Sequence, residues 1–341
     1  MSKDMVIGYH DLVNVRLVNI PHGFEQLLYG ELAFLQPDNV TEIHGEVRFV
    51  DKVPDNGPWQ HVSKLARYND TMYCIVDDNF SKVALPFDDM VAGTRPWVMY
   101  VEVGGTWPWY YIYGILEFFV KLSAVQAGAV FAHASAFAPA GGDATVVTAF
   151  AGTGKTSTML HAVHGGDMFL ADDYVLLYKG QVLAYPKPMN LYRYNADECP
   201  WLLDIIKDEK DRTKLEGSMW RVRSPLQTFM PEAKIGYQAP LGTVIFLTRS
   251  DRSTPDVRTV ECSWLARKMA RCLAYERREF DGWYRTWAYA RVSELDMVDR
   301  LQTAEASILR STLQGARTLA VEVPADVPAA DLHGLIKEVS K

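Results

Sequence analysis

The chain has 341 residues, 48% of them hydrophobic and 12% aromatic, enough to bury the core of one large domain or two ordinary ones. A formal charge of −7 excludes a polyanion as the main partner, so no nucleic acid is expected. Cys74, Cys199, Cys262 and Cys272 lack metal-ligand spacing, and so few thiols suit a reducing compartment; a cytoplasmic protein is expected.

The opening MSKDMVIGYHDLV lacks the basic-then-apolar order of a secretory signal. Up to about residue 105, short apolar runs alternate with turn residues: VRLVNI from Val15, GEVRFV from Gly45, TMYCIVDD from Thr71 and WVMYVEVGG from Trp97. Such patterning predicts strands, punctuated by turns at Pro54–Gly57 and Gly104–Gly105. Residues 1–105 are therefore expected to form a β-rich N-terminal portion, a candidate acceptor-binding part.

Residues 106–341 differ in character. The segment WPWYYIYGILEFFVKLSAVQA from Trp107 is apolar, but Glu117 and Lys121 interrupt it four apart, where they can pair on one helix face. A buried helix over about 109–127 is predicted rather than a membrane span. A strand AVFAHASAF from Ala129, a turn at Pro139–Gly142 and a strand TVVTAF from Thr145 follow. Then come a helix from Lys155, a β-type run DMFLADDYVLLY from Asp167 and a strand GTVIFLTR from Gly242. Helices near 262–277 and 328–339 flank a strand TLAVEV from Thr318, and the interleaving predicts an α/β domain. Trp283 and Trp287, four apart, can share a helix face; core packing is the plain reading, an aromatic acceptor pocket the sharper one.

Between TVVTAF and its helix lies Ala149-Phe150-Ala151-Gly152-Thr153-Gly154-Lys155-Thr156. This is the Walker form G-x-x-x-x-G-K-[ST] with alanine in place of the first glycine. Gly152 and Gly154 let the chain curl so that successive N–H groups face phosphate oxygens, and the helix that follows adds its positive end. Lys155 supplies a point charge for the outer phosphates, and Thr156 a hydroxyl for magnesium. Ala149 costs little provided its φ is negative. Ala151, Gly152, Thr153, Gly154, Lys155, Thr156 and Ser157 are thus the candidate nucleotide-binding set.

Seventeen residues beyond Lys155, at the end of an apolar strand, stand Asp172 and Asp173. An aspartate so placed holds magnesium in phosphate-loop enzymes, and two allow one for the metal and one to take a proton. His133 lies inside the strand AVFAHASAF, where a packed, hydrogen-bonded histidine is commoner than a catalytic one.

His133, AGTGKTS and FLADD, in that order and spacing, resemble the HPr kinase/phosphorylase family, whose phosphate-loop core is shared with phosphoenolpyruvate carboxykinase. AYPKPMNLY from Ala184 resembles a segment common in HPr-kinase-like proteins. The resemblance covers about residues 129–195, echoes weakly in VIFLTR, and does not extend to residues 1–105. It implies an α/β fold, an HPr kinase-like phosphate-loop domain with a mixed sheet over 106–341, preceded by the β-rich portion. It also implies ATP and Mg2+ as cofactors, Asp172 as the base, Asp173 and Thr156 on the metal, and His133 tuning Asp172.

The Gly- and Arg-rich signature that follows the aspartates in true HPr kinases has no counterpart, which makes the phosphocarrier HPr a poor acceptor. The expected activity is transfer of the γ-phosphoryl group to a hydroxyl of a small metabolite or a peptide natural product. A protein-serine kinase and a non-catalytic nucleotide-binding protein are the alternatives, and a homo-oligomer is left open. Charge spread over the transferring oxygens calls for converging cations, with Lys187, Arg193 and Arg249 as candidates.

Overall fold

The structure is a computed structural model and describes residues 3–22, 24, 40, 42–53, 65–68, 71–78, 81–102, 109–217, 221–289 and 297–340. The turns expected at Pro54–Gly57 and Gly104–Gly105 lie outside the described residues, as does Trp107. The chain forms two compact units: residues 1–128 with 275–304, and 129–274 with 305–341. That division differs from the boundary expected at residue 105. The apolar helix of 109–126 belongs to the first unit, and a segment distant in sequence returns to it.

The first unit is built on a seven-stranded sheet. Its strands are β1 (Lys3–Tyr9), β2 (Val13–Ile20), β3 (Gly45–Val50), β4 (Leu65–Tyr68), β5 (Thr71–Asp78), β6 (Ser81–Leu85) and β7 (Trp97–Glu102). They run in the order β1-β2-β3-β7-β6-β5-β4, with parallel pairing of β2 to β3 and β3 to β7. In β3, Val47 and Phe49 are buried and Arg48 between them is exposed, while Glu46, on the Arg48 face, is buried. Helices α1 (Phe87–Ala92) and α2 (Trp109–Gln126), together with the later helix Arg278–Ala288, bring apolar residues to this unit.

Glu117 and Lys121 of α2 do pair, at 3.3 Å, and among the described residues no helix is long and apolar enough to cross a membrane. Trp287 serves the core. Phe87 stands within 5.6–5.9 Å of Phe119, Tyr284 and Trp287, and the Trp287 indole donates to Asp88 at 3.0 Å. Ring pairs of this kind add about 0.5–1.5 kcal/mol each beyond the area they bury.

The second unit holds an eight-stranded mixed sheet of β8 (Val130–Ala138), β9 (Ala144–Thr148), β10 (Met168–Ala171), β11 (Tyr174–Tyr178), β12 (Gln181–Leu183), β15 (Gln238–Ser250), β16 (Asp256–Thr259) and β17 (Arg317–Pro324). A separate pair, β13 (Met189–Leu191) and β14 (Val222–Ser224), lies outside it. All nine residues of β8 are buried, His133 and Ser135 among them, as befits a central strand. Three strands are parallel, β9 to β15 and β15 to β17, so their carboxyl ends emerge together. In open α/β sheets that end is where ligands bind. The helices that matter to it are α3 (Lys155–His164), α4 (Arg193–Glu198) and α5 (Ala329–Val339), with α5 packed on α3.

Candidate phosphate-loop site

The glycine-containing segment leaves the carboxyl end of β9 and enters α3 with Gly154 as its N-cap. Gly152 and Gly154 both take positive φ, +76° and +111°, a backbone that side chains oppose. At Gly154 space is tight as well: a Cβ would sit 3.2 Å from Leu332 and 3.3 Å from the Arg249 guanidinium, so both side chains would have to give way by a few tenths of an ångström. Ala149 is fully buried and does not adopt a left-handed conformation, which is why an alanine suffices where a glycine was expected. Lys155 is buried, its ammonium donating to the carbonyls of Ala149 at 2.9 Å and Phe150 at 3.1 Å. That curls the lysine back over its own loop.

The twin aspartates interrupt what would otherwise be one strand. Both β10 and β11 pair with β8, and Asp172-Asp173 forms the kink between them, with Asp173 at φ +70°. Aspartate is among the few residues that tolerate this region. The kink is tied on both sides: the Tyr174 N–H donates to the Asp172 carbonyl at 2.8 Å, and the Ala134 N–H to that of Asp173 at 3.3 Å. It turns the two carboxylates into different surroundings.

Asp172 is 5% exposed and accepts hydrogen bonds from Ser135 and from Thr156, whose hydroxyl lies 3.1 Å from each carboxylate oxygen. Burial pushes its carboxyl above the usual range, opposed by the Ser135 hydrogen bond, reinforced by the charge of Asp173 and opposed again by Lys155 and Thr156. The Asp173 side chain is 38% exposed, 3.5 Å from His133 Nδ1 and 2.9 Å from Lys187 Nζ. Lys187 is itself buried, its ammonium 4.6 Å from the centre of the Tyr174 ring.

The structure therefore brings together Lys155, Thr156, Asp172, Asp173, His133 and Lys187. It pairs Thr156 with Asp172, whereas the expected metal pair was Thr156 and Asp173. The Arg193 side chain is half-exposed on α4, bound to Asp197 and to the Glu216 carbonyl. Arg249 reaches the loop through the backbone, donating to the Thr153 carbonyl at 3.0 Å. Ser157 is buried, bonded to Glu198 and receiving Asn195 Nδ2 at 3.1 Å.

Sequence reasoning missed Ser135, Asn195, Glu198 and Tyr194. Only Ser135 carried a signal: two residues from His133, it shares that face of β8. Tyr194 is exposed and stacked on Tyr192 at 5.4 Å. Its phenol is pushed up to about 12, first by partial burial and then by Tyr192, Asp172, Glu198 and Asp173, so it stays a neutral donor beside the carboxylates.

The donor set suits magnesium. Thr156 and Asp172 offer hard oxygens within 3.1 Å of each other. Among the described residues no group of three His, Cys, Asp or Glu could hold a metal by itself.

Neither a family model nor a curated protein sequence matches this chain. Among solved structures, that of the Hpr(Ser) kinase/phosphatase from Coxiella burnetii is similar over 61% of this chain and 95% of that one, at 11% identity and a TM-score of 0.30. A TM-score at that level carries no argument about fold or chemistry.

Proposed function

We propose that this protein is an ATP- and magnesium-dependent kinase that transfers the γ-phosphoryl group to a hydroxyl of a small metabolite or peptide natural product. The observation that carries the reading is the contact of the Thr156 hydroxyl with both oxygens of Asp172, one residue beyond the loop lysine and one before a second carboxylate. A mere strand-to-helix turn requires neither the lysine nor the aspartates.

The amides from Ala151 to Ser157 and the positive end of α3 bind the polyphosphate. Lys155 exchanges its two loop carbonyls for phosphate oxygens. Thr156 and Asp172 hold the metal, which, when bound, neutralises charge on the phosphates. Asp173 is the base: it is the more exposed carboxylate, and His133 and Lys187 fix its position. The acceptor hydroxyl gives its proton to Asp173, its oxygen forms the new bond to the γ-phosphorus, and the bond to the ADP oxygen breaks. These roles reverse the assignment that the family resemblance implies for the two aspartates. A pure nucleotide binder would have no use for the Asp173–His133–Lys187 group, which favours transfer over binding alone.

The test is calorimetry with Mg-ATP combined with transfer of label from [γ-32P]ATP to metabolite and peptide fractions. Asp173→Asn is expected to bind Mg-ATP as the wild type does and to lose about 100-fold or more of the transfer rate. Asp172→Asn is expected to lose the magnesium-dependent part of ATP binding. Absence of any heat with wild-type protein and Mg-ATP removes the kinase reading.

A further inference from the structure

Arg249 stands three residues beyond Phe246, which pairs in parallel register with Thr148, the last residue of β9. The strand that carries it therefore delivers a guanidinium beside the loop that β9 delivers. There its Nε donates to the Thr153 carbonyl at 3.0 Å, and its Nη1 to the carbonyls of Ala325 at 2.7 Å and Val327 at 3.0 Å. Nη2 lies 3.7 Å from Glu198, whose other oxygen accepts from Ser157. A ring closes around the loop: Thr153, Arg249, Glu198, Ser157, with Lys155 between its two loop members.

We propose that Arg249 is a positioning residue that sets the direction of a phosphate-binding amide; the inference rests on the nucleotide site proposed above. In a trans peptide the carbonyl and the following N–H point in opposite directions. Fixing the Thr153 oxygen on Arg249 therefore aims the Gly154 N–H away from the guanidinium, into the curl of the loop. Gly154 has no Cβ and takes φ +111°, so little else in that residue restrains the peptide. The three carbonyls occupy three of the five N–H groups of the guanidinium, and Nη2 faces Glu198; this geometry holds backbone rather than ligand. The Ala325 and Val327 carbonyls follow β17, so the clamp also joins the loop to the end of the neighbouring parallel strand.

Wild type, Arg249→Lys, Arg249→Ala and Glu198→Gln are titrated with Mg-ATP and, separately, with magnesium tripolyphosphate. Both arginine variants are expected to bind each probe about tenfold or more weakly, the worth of one charge-assisted hydrogen bond, with unchanged circular dichroism. Millimolar guanidinium is expected to restore part of the affinity of Arg249→Ala, which a general loss of folding would not allow. Glu198→Gln keeps an acceptor for Ser157 and removes the charge facing Arg249; a smaller loss in the same direction is expected, and it serves where an arginine variant does not fold. Wild-type affinity in Arg249→Lys would show a simple charge contact with phosphate and overturn the positioning role, as would unchanged affinity in Arg249→Ala or Glu198→Gln. In each of those cases the nucleotide site stands; no binding by wild type removes both.

Discussion

Asp172 shows a single residue set against the stability of its own fold. Its folded-state pKa lies above the unfolded value because burial outweighs the hydroxyls of Ser135 and Thr156 and the charge of Lys155. A carboxylate shifted this way binds its proton more tightly when folded. Ionising it near neutral pH therefore costs stability, and the cost is relieved as pH falls through the raised pKa. Asp172→Asn keeps an oxygen for the two hydroxyls and removes the charge. It is expected to raise Tm near neutral pH by about 2–4 °C, the effect of about 1 kcal/mol in a domain of this size, while metal-dependent ATP binding is lost. The advantage over wild type should shrink as the buffer is made acidic. Thermal unfolding of both proteins across pH checks this; a lower Tm for the variant near neutral pH contradicts it.

At the scale of elements, α3, the helix that follows the glycine-containing loop, packs on its neighbour α5. The rings of His161 on α3 and His333 on α5 lie parallel, with centroids 6.0 Å apart. Burial holds the His333 imidazole below its ordinary range, aided by His161 and Lys337 and opposed by Asp167. A histidine depressed on folding contributes its full stability above the unfolded value and loses it as pH falls from there toward the folded one. The expected result is that wild type loses more Tm than His333→Gln as pH falls below about 6.5, the unperturbed histidine value. Equal Tm profiles for the two proteins through mild acid contradict it.

Much of this element pattern was legible in the sequence: the strand into the loop, the helix from Lys155, the aspartates closing an apolar strand, and the helix near 328–339. Period and turn chemistry are local, and so are the glycines that a curled loop requires. What escaped was non-local. Glu198 meets Ser157 across 41 positions, where α4 lies against α3, and Arg249 meets Thr153 across 96, a contact created by the pairing of β9 with β15. The different surroundings of the two aspartates escaped for another reason: the φ of Asp173 turns two adjacent carboxylates toward different partners, which spacing does not encode.

At the scale of the molecule, neither unit is a continuous stretch of chain, a division that a composition shift along the sequence does not register. The second unit begins at Ala129, loses the chain after Ala274 and regains it at Glu305. Its sheet is incomplete without the last part: β17 pairs with β15 in parallel from Thr243↔Arg317 to Ser250↔Pro324 and carries β16 on its other side. Leu319, Val321 and Val323 of β17 and Leu332 and Ile336 of α5 are buried in the same core as Val147, Met159 and Leu160 around the loop helix. Each such side chain contributes about 1.5–3 kcal/mol, so losing five costs about 7.5–15 kcal/mol, comparable to the whole stability of an ordinary domain, about 5–15 kcal/mol. A chain ending at Gln314 would also strip Arg249 of the Ala325 and Val327 carbonyls. That truncation is expected to abolish cooperative unfolding and Mg-ATP binding together, whereas a chain ending at Ser340 should retain both. Circular dichroism melts and calorimetry on the two chains decide it: ATP binding by the shorter one would mean that the loop stands without the strand that supports it.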